Sequence, residues 1–127
     1  MNRSHLVGQA HVNVAGGVIN GLSHDGILVN NNIGAGNGAF RTGAGVIILN
    51  LAADQGLEAG VAVAPPADMG TEGYITVTPV TTGVVVPAYC TVEHNSDIQK
   101  TIRTFNDLAV ALDNISIDVA FYKRNPL

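Results

Sequence analysis

The chain has 127 residues, a formal net charge of −4, 46% hydrophobic residues and only 13% charged ones. That length suits one domain with a single core, and the charged share is roughly half the 25% of an average soluble domain. The basic residues Arg3, Arg41, Lys100, Arg103, Lys123 and Arg124 are scattered, so nothing here resembles the cationic patch that binds nucleic acid by counterion release. Apolar runs such as Val46-Ile47-Ile48-Leu49 are far too short for a membrane-spanning helix. The opening Met1-Asn2-Arg3-Ser4-His5 lacks the apolar stretch of a signal peptide. The expectation is a product of the cytoplasm that engages neither membrane nor nucleic acid. So low a charge fits either a compact monomer with an amide- and hydroxyl-rich exterior or a protomer largely covered by neighbours, and the second reading is preferred because desolvating charge is costly.

In chain order, Gly16-Gly17, Asn20-Gly21 and Asp25-Gly26 are turn signals, since each permits a positive φ at low cost. Between them lie short apolar segments, His11 to Val14, Val18-Ile19 and Ile27-Leu28-Val29, which predict a meander of short strands. Residues 30–45 are rich in glycine and asparagine and read as an exposed loop or extended arm. The β-branched run at 46–51 predicts a buried strand, and Pro65-Pro66 interrupts pairing.

In the second half, Ile75 and Val77 alternate with Thr76 and Thr78, predicting a strand with one apolar and one hydroxyl-bearing face. After Thr82-Gly83, residues 84–92 place Val84, Val86, Ala88, Cys90 and Val92 on one face, with Pro87, Tyr89 and Thr91 on the other. Residues 97–112 admit two readings. Ile98, Ile102, Phe105, Ala109 and Leu112 fall on one helical face, giving a short helix around 97–108, whereas Leu108, Val110 and Leu112 alternate. The reading preferred is a closing β-hairpin that turns at Asp113-Asn114 into the strand 115–122. The fold expected is mainly β: a small antiparallel β-sandwich or barrel-like domain over 1–127.

Cys90 and His94 are the thiol–imidazole types needed for nucleophilic catalysis. On a strand, however, they stand about 13 Å apart, and the position of Cys90 on the apolar face marks it as a small hydrophobe. His5, His11, His24 and His94 show no zinc-helix spacing. The glycines at 34, 36, 38, 43 and 45 lack the Lys-Ser/Thr of a phosphate loop. The carboxylates are dispersed, and the lack of tryptophan leaves little material for a sugar-binding cleft. No catalytic, cofactor-binding or metal-ligating residue is therefore expected.

The segment Tyr74-Ile75-Thr76-Val77-Thr78-Pro79-Val80, then Thr82-Gly83, Pro87-Ala88-Tyr89, Phe105 and the alternation of 115–122, resembles small β-sandwich modules of tailed-phage virion proteins, found as capsid decoration proteins and as fibre heads. The resemblance implies a homotrimer without catalytic residues. It also implies a place on the virion, after synthesis in the host cytoplasm, with the major capsid protein as partner. A chain starting at its own methionine, without a shaft repeat, favours the decoration (cement) role over a fibre head. A head–tail connector remains an alternative, as does a carbohydrate- or receptor-binding module using His24, Asp25 and residues 30–32. The side chains expected at the interface are Ile33, Phe40, Arg41 and Tyr89.

Overall fold

The computed structural model describes residues 2–52, 73–81, 87–96 and 99–126. Within them the chain is built from strands β1 (Asn2–Ala15), β2 (Val18–His24), β3 (Ala39–Gly43), β4 (Val46–Asn50), β5 (Gly73–Val80), β6 (Tyr89–Ser96), β7 (Gln99–Phe105) and β8 (Ser116–Pro126). They form two four-stranded antiparallel sheets, ordered β2-β1-β8-β5 and β3-β4-β7-β6. The domain is thus a β-sandwich-like fold, and no helix occurs among the described residues.

The core lies between the sheets. Val12 and Val14 of β1, Ile75 of β5, and Ile117, Val119 and Phe121 of β8 meet Ile47 and Leu49 of β4 and Ile102 of β7. Each fully buried side chain of this kind contributes roughly 1.5–3 kcal/mol from removal of apolar surface from water. The period-two alternation in β5 and β8 produces this arrangement, leaving Thr76, Thr78 and Asp118 outside. Cys90 and Val92 of β6 pack against the same core, the face assigned to them by alternation. Residues 53–72, with Pro65-Pro66, and residues 82–86 lie outside the described residues.

Three sequence readings need correction. First, Asn20-Gly21 is not a turn. Gly16-Gly17, with φ of 62° and 77°, already makes the two-residue reversal that requires positive φ at both positions, so β2 runs straight through Asn20. Asn13 pairs with Gly21 and Val14 with Ile19, which leaves Asn20 as a bulge held by the Asn13 amide. Second, residues 39–45 belong to the β3–β4 hairpin, so the glycine-rich loop is confined to 30–38.

Third, of the short helix expected around 97–108 the described residues 99–108 form none, and residues 108–112 are not a strand paired with β8. β7 occupies much of that segment because Lys100, Ile102 and Thr104 alternate into the core opposite Leu49 and Ile47 of β4. It pairs with β4 and β6. Residues 106–112 form a loop in which Asn106 Oδ1 accepts hydrogen bonds from the N–H groups of Leu108 and Val110. Ala109 takes a left-handed φ of 62° there, and Thr104 Oγ1 donates to the Leu112 carbonyl. Asp113 then anchors the crossing between sheets, accepting from Arg41 Nη2 at 2.7 Å and from the Gly45 N–H at 2.8 Å. The Arg41 side chain, followed by the Gly45 N–H, holds the Asp113 carboxyl below its ordinary pKa.

Every edge strand among the described residues carries an irregularity. β2 has its bulge at Asn20, β3 skips Thr42, β6 skips Asn95, and β5 contains Pro79, which has no N–H to donate.

Candidate functional site

Strand register sorts the exposed side chains into two outer faces. On the second sheet, one row reads Phe40, Ile48 and Glu93, with the buried Thr101 between the last two, the next Val46, Arg103 and Thr91, and the last Phe105 and Tyr89. The Phe105 and Tyr89 rings stack with centroids 6.0 Å apart. The charges in these rows, Arg103 and Glu93, neutralise each other in an ion pair. Beside them a shallow pocket of about 360 Å³ is lined by Val46, Thr91, Phe105, Ala109 and Ala111 among others. In the same loop as Ala109 and Ala111, Leu108 and Val110 are 78% and 56% exposed. Low net charge with aromatic and aliphatic anchors is the composition of a protein-docking surface.

The expected interface residues divide. Phe40 and Tyr89 lie on this face at opposite edges, and Ile33 is exposed in the neighbouring loop, its backbone bridged to Ala39. Arg41 sits elsewhere, held to Asp113 of its own chain. The 30–38 loop is tied together by its own hydrogen bonds. Asn30 Oδ1 accepts from the N–H groups of Asn32 and Gly38, and Asn30 Nδ2 donates to Asn37 Oδ1. Asn50 Nδ2 donates to the Asn37 carbonyl at 2.7 Å, tying the loop to β4.

Cys90 is half-buried and packs against the core. Burial pushes its thiol up to about 11, so the thiolate that reacts is scarce at neutral pH. His94 lies opposite Lys100 in the register and is held below its ordinary pKa, first by burial and then by the charge of Lys100. In the folded protein Cys90 is expected to react with iodoacetamide at neutral pH far more slowly than in urea. Equal rates would show that the thiol is neither buried nor protonated.

The first sheet holds a constellation that the linear sequence hides. Ser23, His11, Asp118 and Thr78, from β2, β1, β8 and β5, form one straight row across its outer face. His11 Nδ1 and Asp118 Oδ1 are 2.6 Å apart. The row has the residue types of a hydrolase triad, yet no hydrogen bond joins Ser23 to His11, a link that activation of a serine nucleophile requires.

Two further residues named by sequence frame this face. Both carboxylate oxygens of Asp25 accept from the Gln9 N–H. His24 Nδ1 accepts from the Gly26 N–H, which makes Nε2 the donor to the Asn30 carbonyl at 2.9 Å. Tyr74 and Tyr122 stack 5.0 Å apart on the same face. Among the described residues no group of three or more potential metal ligands comes together. No family model, curated protein or solved structure matches the chain.

Proposed function

We propose that this protein is a non-enzymatic structural module that docks through its second sheet, and that its role is to decorate and cement a phage capsid as a homotrimer against the major capsid protein. The observation that carries the docking reading is the outer face bearing Phe40, Ile48, Val46, Phe105 and Tyr89, whose charges are internally paired. The irregular edge strands support it further, because they discourage strand addition and leave faces as the surfaces for assembly. The virion role rests on the resemblance carried by residues 74–122.

Placing a charge on the face tests both. Phe40→Asp and Tyr89→Asp are expected to remain folded and to lose occupancy on undecorated capsids by at least about thirtyfold, the effect of removing an anchor worth 2 kcal/mol. Thr76→Asp, at an exposed position on the opposite face, is the control and is expected to bind normally. Undiminished occupancy of both face variants would overturn docking by this sheet, and a wild-type protein that never binds capsids would overturn the capsid role. A monomer mass by light scattering at micromolar concentration would refute the trimer.

A further inference from the structure

The outer face of the first sheet is shaped for a different task. Three rows cross it: Leu6, Tyr122 and Tyr74; then Gln9, Ala120 and Thr76; then Ser23, His11, Asp118 and Thr78. Ala120 is the step in this surface. Its methyl group lies between Tyr122 and Asp118 along β8 and between Gln9 and Thr76 across the strands. The taller neighbours leave an open groove of about 560 Å³ over it, lined by Gln9, His11, Ser23, Thr76, Thr78 and Asp118 among others. That volume falls within the range of small-ligand sites.

The lining selects the chemistry. No Lys or Arg lines the groove, so a phosphate, sulfate or carboxylate ligand would find no fixed cation to pair with. The hydroxyls of Ser23, Thr76 and Thr78 each donate and accept, and so does the Gln9 amide. Because His11 Nδ1 is taken by Asp118 Oδ1, His11 Nε2 and the second Asp118 oxygen remain as further hydrogen-bonding atoms. The stacked Tyr74–Tyr122 pair stands one row away, just beyond the groove's own lining, and adds amphipathic aromatic surface there. Donors and acceptors in mixed order beside aromatic rings match a ring that carries hydroxyls around its rim and C–H groups on its face.

The site is also pre-organised. Asp25 and His24, which also line it, are held by the hydrogen bonds to Gln9, Gly26 and Asn30, so little order need be created there on binding. We propose that this groove binds a short neutral oligosaccharide. The inference stands apart from capsid docking, which uses the other sheet. Were the second sheet seated on a particle, the groove would face the medium.

The test is an amide-shift titration of isotope-labelled protein with maltotetraose, mannotetraose and chitotetraose, run beside sialyllactose as an acidic sugar and cadaverine as an amine. At least one neutral sugar is expected to give saturable shifts centred on Gln9, His11, Ser23, Thr76, Thr78 and Ala120, with a Kd of about 1 mM or tighter. Ala120→Leu fills the step and is expected to weaken that binding by about tenfold or more. The double change Thr76→Val with Thr78→Val removes hydroxyls without filling space, and is expected to do the same should the leucine variant misfold. No saturable shift from any neutral sugar at about 10 mM, shifts centred elsewhere, unchanged affinity in a folded variant, or tighter binding of sialyllactose or cadaverine would each overturn the proposal. Capsid occupancy of Ala120→Leu is expected to equal that of wild type, so the two readings fail separately.

Discussion

Lys100→Ala is expected to destabilise the domain by about 3–5 kcal/mol, a large part of the 5–15 kcal/mol that holds a typical domain together. Lys100 is 0% exposed and is among the largest fully buried side chains. Its position on β7 faces the core opposite Leu49 and beside His94. Truncation would empty that volume and strip the interactions of a buried charge from their surroundings. Lys100→Met, which keeps the stem, is expected to lose less. Both variants should also raise the pKa of His94, because the charge on Lys100 is one of the two causes holding it down. The rise should be partial, since burial is the larger cause. Urea unfolding and imidazole titration by NMR measure the two effects, and an alanine variant with an unchanged midpoint would contradict the buried role.

Gly38→Ala is expected to cost more than about 2 kcal/mol and to loosen residues 30–38. A Cβ at that position would lie 2.2 Å from the Asn30 carbonyl oxygen and 3.0 Å from Leu22 Cδ2. Backbone is the nearest obstacle, so no side-chain rotation relieves it. The clash falls on Asn30, whose side chain also accepts the Gly38 N–H, so relief by movement would break the hydrogen bonds that shape the loop. A Cβ on Gly36 would meet nothing within 4 Å, and Gly36→Ala should cost only the roughly 1–2 kcal/mol of a left-handed alanine. Thermal unfolding with hydrogen exchange over 30–38 separates the two. Equal behaviour would show that packing at Gly38 is looser than described.

Strands buried on one face were legible in the sequence because alternation is a local signal. Ile75 and Val77, and Ile117, Val119 and Phe121, face the core as their spacing predicts. Segments with competing local signals were not. Asn20-Gly21 has turn chemistry, but the preceding glycine pair had already reversed the chain. In 97–112, apolar residues fit helical spacing, and only pairing with β4 and β6, distant in sequence, decides for a strand. Phe40 and Tyr89, large side chains named from the sequence, lie on the outer face of the second sheet. Arg41 looked available because Asp113, which holds it, lies 72 residues away. The groove was invisible for the same reason: Ser23, His11, Asp118 and Thr78 sit on four strands, and register alone aligns them. Two of the three tyrosines meet beside it, so a low aromatic count did not reveal how they cluster.

The interrupted edge strands carry a consequence for life at high density. Copies packed side by side on a particle would experience local concentrations at which a long, flat strand edge templates cross-β filaments. Here Asn20, Thr42, Asn95 and Pro79 each break the line of backbone donors and acceptors on one edge. A crowded layer of this protein can therefore stay a layer of separate folded units, and concentrated stocks should remain free of fibrils.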